Sequence, residues 1–147
     1  MKITIEVAVP APLEQVWRAW TTPADIMKWN AAADAWHCPA AEIDLRVGGG
    51  FRYRMAARDG SMGFDFCGTF QAVVRGQRIA FALEDERLVT VEFVQQQHAV
   101  LVRETFEAES LLAAQAQRQG WQAILDNFSR HVQATHGSGP MRRPTAT

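Results

Sequence analysis

The sequence predicts an α+β fold in which a curved antiparallel sheet of six to seven strands wraps around one long C-terminal helix. Up to about residue 107, apolar residues mostly alternate with polar ones, which is the pattern of strands buried on one face. From Ser110 onward the apolar residues recur at helical spacing instead. Because the strands follow one another through short turns, we expect an antiparallel meander.

One strand and two short helices are predicted within residues 1 to 29. Alternation from Met1 to Val9 predicts a strand, which the prolines that follow would end. Residues 12 to 20 have helical spacing. Thr22 and Pro23 then suit the cap and first position of a second helix that ends near Trp29. We expect a loop over residues 30–40 and a strand from Glu42 to Val47.

The rest of the sheet is predicted from alternating segments separated by turn residues. The turns are expected at Asp59-Gly60, at Gly76, and in the polar segments 84–86 and 95–97. Ser110 is a suitable N-cap for the last helix, which should end near Ala134. We therefore expect a single domain over residues 1–135, with the order β-α-α-β6-α, and a disordered tail over residues 136–147.

Composition excludes several classes of function. The chain has 147 residues, 15 basic and 16 acidic side chains, and a formal net charge of −1, so nothing suggests a nucleic-acid surface. No apolar run approaches the ~20 residues of a membrane span, and the N-terminus does not resemble a signal peptide. We expect a cytoplasmic protein. Cys38 and Cys67 lack metal or redox spacing, and His37-Cys38 has no matching second pair, so no metal or cofactor is expected.

The segment from Asp44 to Arg54 is the most informative part of the chain. On a strand, Asp44 and Arg46 would point to one face, ahead of three glycines that suit a sharp turn. Because the alternate residues of this strand are apolar, we expect the charged pair to face solvent. In the opposite orientation, Arg46 would bind a carboxylate or phosphate group of a ligand.

Several short motifs in their order resemble a known family across residues 2 to 135. They are Val16-Trp17-Arg18-Ala19-Trp20, Thr22-Pro23, Trp29, Glu42 to Gly49, Phe51-Arg52, Gly68-Thr69-Phe70 and Gly120-Trp121. Together they resemble bacterial homologues of the activator of heat-shock-chaperone ATPase, within the START-like (Bet v-like, SRPBCC) helix-grip superfamily. The resemblance implies a hydrophobic cavity between the sheet and the long helix.

Function is not implied uniquely by this resemblance. Members of the superfamily bind lipids, hormones and polyketides, and some are cyclases or hydrolases. The eukaryotic namesake stimulates a chaperone ATPase with an additional N-terminal domain. Because the domain predicted over residues 1–135 occupies nearly all of the 147 residues, we do not expect such a domain here. Fold alone does not determine function.

Large aromatic side chains and one acidic residue are the candidate binding site. Among the aromatic residues, Trp36 and Tyr53 combine a large apolar surface with a polar group. Glu104 shares its strand face with Val100, Val102 and Phe106, so we expect it to point inward, with a raised pKa. The alternative is a structural ion pair of Glu104 with Arg54 or Arg103. The predicted ligand contacts are Trp36, Tyr53, Phe66, Phe93, Glu104, Trp121 and Leu125.

We therefore expect a non-catalytic domain that binds a small hydrophobic molecule between the sheet and the residue 110–134 helix. One alternative is an interaction module for a heat-shock chaperone. Another is a cyclase or hydrolase acting on a hydrophobic substrate with Glu104 or His37 as its acid–base group. We find no Ser-His-Asp grouping or phosphate-binding loop in the sequence, and no catalytic residue is assigned.

Overall fold

A computed structural model describes residues 2–108 and 110–137. Within these residues, seven strands and three helices follow one another. They are β1 (Lys2–Val9), α1 (Leu13–Thr21), α2 (Pro23–Trp29), β2 (Trp36–Ile43), β3 (Gly50–Ala57), β4 (Gly63–Val74), β5 (Arg78–Leu83), β6 (Leu88–Gln95), β7 (Val100–Glu107) and α3 (Leu111–Gly137). The predicted element order is confirmed.

The seven strands form one antiparallel sheet in the order β1-β7-β6-β5-β4-β3-β2. Strands β2 to β7 form the predicted meander, and β1 returns to pair with β7. The connection between β1 and β2 contains α1 and α2. The predicted helix-grip fold, with a curled sheet around a long C-terminal helix, is confirmed.

The alternation that predicted the strands corresponds to burial on one face of the sheet. Along β7, residues 100, 102, 104 and 106 are buried and the residues between them are partly exposed. On β3, Phe51, Tyr53 and Met55 are buried while the arginines between them are exposed. One face of the sheet is thus apolar, and α3 supplies the buried residues Leu125, Phe128 and Val132 to the same core.

Helix α3 begins after the predicted cap. The Ser110 hydroxyl oxygen accepts a hydrogen bond from the Ala113 backbone N–H at 3.1 Å, which satisfies one of the unpaired donors in the first turn. The helix continues through Gly137, three residues beyond its predicted end. Residues 138–147, most of the predicted tail, lie outside the described residues.

The predicted strand from Glu42 to Val47 is wrong. Strand β2 begins at Trp36 and ends at Ile43, because its residues pair with β3 from Ala57 back to Phe51. Residues 44–49 form a compact turn before β3. Gly48 adopts φ +87°, and a Cβ on Gly49 would lie 2.2 Å from the Asp44 carbonyl oxygen, so this turn requires its glycines.

Helix α2 begins without the expected side-chain cap. Pro23 occupies the first turn as predicted, but the Thr22 side chain makes no capping hydrogen bond. The Thr22 carbonyl oxygen instead accepts the Asp25 and Ile26 backbone N–H groups, each at 3.0 Å. A proline at the first position already presets the helical φ, which helps this short helix to begin without a cap.

Candidate functional site

A cavity of about 300 Å³ lies between the concave face of the sheet and helix α3. Most of its lining is aromatic or aliphatic. Strands β3, β4, β5 and β7 and the C-terminal end of β2 contribute to it, whereas β1 and β6 do not. The lining residues are Trp20, Trp29, Asn30, Ile43, Phe51, Tyr53, Met55, Phe64, Phe66, Phe70, Ile79, Phe81, Arg87, Glu104, Gln117, Trp121 and Ile124.

One wall of the cavity is a cluster of rings from three helices. Trp20 of α1 and Trp29 of α2 lie 5.0 Å apart between ring centroids, and each contacts Phe128 of α3 edge-on at 4.9–5.0 Å. The Trp29 indole N–H donates to the Ala19 carbonyl oxygen at 2.8 Å, which fixes its orientation. Large rings held from several sides give this wall a rigid shape.

The opposite part of the lining combines rings from the sheet with the ring of Trp121 on α3. Trp121 stacks on Phe106 at a centroid distance of 4.0 Å and meets Phe66 edge-on at 6.0 Å. Phe64, two residues before Phe66 on β4, also lines the cavity, although half of its surface (51%) is exposed. A lining residue this exposed indicates that the cavity opens to solvent beside Phe64.

Glu104 places a carboxyl group on this apolar surface. It lies in the middle of β7, opposite Ile5 of β1 and Val91 of β6, and only 7% of its surface is exposed. Within residues 2–108 and 110–137, we find no hydrogen bond or ion pair to its carboxyl group. Burial disfavours the charged form and raises the pKa of Glu104 to about 8.

Four other polar side chains reach the lining. Asn30 follows α2 and is buried, with 7% of its surface exposed. Burial also raises the pKa of the Tyr53 hydroxyl well above its ordinary value, so this group keeps its proton. Arg87 is held by Asp85, with Nε and Oδ2 2.6 Å apart, and by the Glu107 carbonyl oxygen at 3.2 Å. Gln117 contributes an amide from α3.

This geometry belongs to a fold with close relatives of known structure. A family model described as "Activator of Hsp90 ATPase homolog 1-like protein" matches residues 10–133. The chain belongs to this family. A comparison with curated proteins found no match.

Three solved structures resemble this chain over most of its length. The AHSA1-like protein from Aeromonas hydrophila, solved in solution, is 47% identical over 92% of this chain and 94% of its own, with a TM-score of 0.87. A protein from Cytophaga hutchinsonii is 42% identical over 91% of this chain and 93% of its own, with a TM-score of 0.79. A crystal structure from Nitrosomonas europaea, 17% identical over 92% of this chain and 96% of its own, shares the fold with a TM-score of 0.80.

Four of the seven predicted ligand contacts line the cavity. They are Tyr53, Phe66, Glu104 and Trp121. The inward orientation expected for Glu104 agrees with its burial. The alternative, an ion pair of Glu104 with Arg54 or Arg103, is not found among the described residues. Arg54 pairs with Asp65 at 3.4 Å, and Arg103 pairs with Glu6 at 2.7 Å on the other face of the sheet.

The other three predicted contacts, Trp36, Phe93 and Leu125, lie outside the lining. Phe93 packs edge-on against Trp17 at 5.2 Å and Trp20 at 6.0 Å, so α1 separates it from the cavity. Leu125 is 1% exposed within the core. Trp36 is the first residue of β2, opposite Ala57, and its ring lies 6.1 Å from that of Phe64 between centroids.

The charged pair Asp44 and Arg46 faces solvent, as expected, but in a turn rather than on a strand. The Arg46 Nε lies 2.9 Å from the Asp44 carboxylate, and the two side chains are 71% and 53% exposed. This pair does not reach the cavity, so the alternative role of Arg46 as a ligand anchor is not supported. His37, the second acid–base candidate, also lies outside the lining.

Sequence reasoning missed several lining residues. Arg87 lies in an acidic loop and Gln117 on a polar stretch of α3, where nothing in the sequence distinguishes them from ordinary surface residues. Trp20 and Trp29 could have been selected, because both belong to the motifs that carried the family resemblance. Asn30 directly follows a helix, where an asparagine most often only ends the helix.

Two features are absent from the residues that the structure describes. None of the described helices is long and apolar enough to cross a membrane. Within the same residues, no group of three or more His, Cys, Asp or Glu side chains is placed to hold a metal ion.

Proposed function

We propose that this protein binds a small, largely apolar molecule in the cavity between the sheet and helix α3. The observation that carries the proposal is a space of about 300 Å³ lined mainly by aromatic and aliphatic side chains. Protein interiors are normally packed without voids of this size. The volume lies at the lower end of the ~300–1,000 Å³ of ligand pockets, so the ligand is small.

Apolar burial supplies the affinity in this proposal. Transfer of apolar surface from water contributes ~25 cal/mol per Å², from which the cost of association is subtracted. The rings of Trp20, Trp29 and Trp121 offer rigid faces that lose little conformational freedom on binding. A few polar groups, Tyr53 and Glu104 among them, set the orientation of the ligand.

Titration with the neutral fluorescent probe N-phenyl-1-naphthylamine tests the proposal. We expect saturable binding to the wild-type protein, detected by energy transfer from the tryptophans of the lining. The substitution Trp121→Ala removes a ring of the cavity wall and should weaken binding at least fivefold. Native mass spectrometry of the purified protein checks in parallel for a ligand retained from the expression host.

Trp36→Ala is the matched control, because Trp36 is also half-buried but lies outside the lining. It should leave the affinity for the probe within about twofold of wild type. Equal weakening by both substitutions would indicate a general loss of structure. Absence of any saturable binding to the wild-type protein would refute the proposal.

We propose stimulation of a heat-shock-chaperone ATPase as the second candidate function, supported by the family match over residues 10–133. The test measures the ATPase rate of the Hsp90-type chaperone of the same organism with and without this protein. A rate increase that saturates with added protein supports the second candidate. An unchanged rate, together with no complex in a pull-down, removes it.

A further inference from the structure

Two polar side chains of the cavity lining, those of Glu104 and Asn30, are buried and have no hydrogen-bond partner within residues 2–108 and 110–137. Each residue is only 7% exposed, and among the described residues we find no hydrogen bond to either side chain. A buried polar group without a hydrogen bond is costly, and native proteins rarely retain one without a reason. Both groups line one cavity, so a ligand in that cavity would supply the missing partners.

The charged and titratable groups that line the cavity do not supply a cation for Glu104. The Tyr53 hydroxyl keeps its proton and is neutral, and Arg87 is held by the Asp85 carboxylate, with Nε and Oδ2 2.6 Å apart. The residues opposite Glu104 on the two neighbouring strands, Ile5 of β1 and Val91 of β6, are apolar. Because burial raises the pKa of Glu104 to about 8, its carboxyl group carries a proton near neutral pH and can donate it in a hydrogen bond.

We propose that the cavity selects an uncharged apolar molecule carrying a carbonyl oxygen, and that the Glu104 carboxyl group donates a hydrogen bond to this oxygen. This inference rests on the proposed binding function. The main alternative is a ligand with a cationic amine, which would form a buried ion pair with Glu104. A buried ion pair offsets its desolvation only when further hydrogen bonds satisfy the remaining carboxylate lone pairs, and the described residues provide none to Glu104. Asn30, also neutral, is a second hydrogen-bonding group for the same uncharged ligand.

Three probes of one shape test the inference. Indane is a hydrocarbon, 1-indanone adds a carbonyl oxygen, and 1-aminoindane adds a cationic ammonium group. Calorimetric titration of wild-type protein at pH 6.5 should give the tightest binding for 1-indanone, about tenfold tighter than for indane, the size expected for a hydrogen bond to an otherwise unpaired buried group. Its affinity should fall above about pH 8, where Glu104 loses its proton.

Two variants connect the preference to Glu104. Glu104→Leu removes the donor and should make the affinities of 1-indanone and indane equal. Glu104→Gln keeps a neutral donor, so it should retain part of the preference and show no fall in affinity above pH 8. Unfolding curves of both variants verify that they are folded, and the Gln variant keeps the test decisive if the Leu variant is not.

The failures of the two proposals are distinguishable. Equal binding of indane and 1-indanone to wild type would overturn the role of Glu104 while leaving the cavity as an apolar binding site. Tighter binding of 1-aminoindane, with an affinity that rises with pH, would overturn the inference in favour of an ion pair. If none of the three probes nor N-phenyl-1-naphthylamine binds, the binding function fails and this inference fails with it.

Discussion

Glu104 occupies a position that an aliphatic side chain would fill at lower cost. Its neighbours in the ladder are Ile5 and Val91, and the alternate residues of β7 on either side are Val102 and Phe106. Burial of an ionised carboxylate here would cost several kcal/mol, so the group keeps its proton instead. The chain thus carries an uncompensated polar group where its stability would favour valine or isoleucine.

This residue makes the stability of the protein depend on pH. Between the ordinary value of 4.5 and the folded value of about 8, the carboxyl group is ionised in the unfolded chain and protonated in the folded one. The folded state therefore binds more protons, and stability falls as pH rises through this window. The slope from this one group is at most about 1.4 kcal/mol per pH unit, and it disappears above about pH 8.

Glu104→Gln should remove this slope. We expect the variant to gain stability over wild type steadily from pH 5 to pH 8, measured by urea unfolding at matched ionic strength. The control is Glu84→Gln, the same substitution at an exposed loop residue, which should retain the slope that Glu104 gives. Parallel profiles for wild type and Glu104→Gln would contradict the burial of an unpaired carboxyl group.

The inward orientation of Glu104 could be predicted from its sequence neighbours, whereas Phe93 and Leu125, also predicted as ligand contacts, lie outside the cavity lining. Alternation identifies which residues face the inside of the sheet. It does not reveal which of these the helices cover and which remain open to the cavity. Phe93 faces inward as expected, but Trp17 and Trp20 of α1 cover it.

Helix α3 depends on its N-terminal cap, because its first half is packed less tightly than its second. Residues 111–123 have no buried member, while Leu125, Phe128 and Val132 are fully buried. Ser110→Ala removes the oxygen that accepts the Ala113 N–H and should cost about 1 kcal/mol of unfolding free energy. Thermal and urea unfolding measure this loss.

Ser110→Asp is the control for this prediction. An aspartate keeps a capping oxygen and adds a favourable charge at the helix N-terminus, so stability should equal or exceed that of wild type. The same loss in both variants would mean that the hydroxyl group does not cap α3. Because Gln117 and Trp121 lie in this first half, we also expect Ser110→Ala to weaken binding of N-phenyl-1-naphthylamine.

Most element boundaries could be predicted because alternation, turn residues and caps agree with one another. The prediction of β2 was wrong where these signals disagree. Ile43, Leu45 and Val47 alternate like strand residues, but Gly48 and Gly49 allow residues 44–49 to form a turn. The residues of β2 before Pro39 looked like a loop, and only pairing with β3 makes them a strand. Such long-range pairing leaves no local signal in the sequence.

At the scale of the whole molecule, both edges of the sheet are protected. On the β1 edge, side chains of α3 reach the exposed carbonyl groups: Arg118 Nη1 donates to the Thr4 oxygen at 3.3 Å, and Gln122 Nε2 donates to the Glu6 oxygen at 3.2 Å. On the β2 edge, Pro39 lies within a register shift between His37 and Ala40. Covered carbonyls, bulges and prolines are common ways to prevent edge-to-edge association.

The double substitution Arg118→Ala/Gln122→Ala should uncover the β1 edge. We expect a loss of about 1 kcal/mol in unfolding free energy for two exposed hydrogen bonds, and light scattering that begins at a lower temperature on heating. The control Gln115→Ala/Gln119→Ala changes two exposed residues of the same helix. Unchanged scattering in the first variant would mean that these contacts do not protect the edge.

The proton held by Glu104 also affects how the folded molecules behave toward one another. The formal net charge of −1 counts this carboxyl group as ionised, so a neutral Glu104 brings the folded protein to about zero charge near pH 7. Its isoelectric point should then lie above the 6.4 calculated from the sequence. Electrostatic repulsion between molecules is weakest at the isoelectric point. The solubility of the protein should therefore be lowest close to neutral pH.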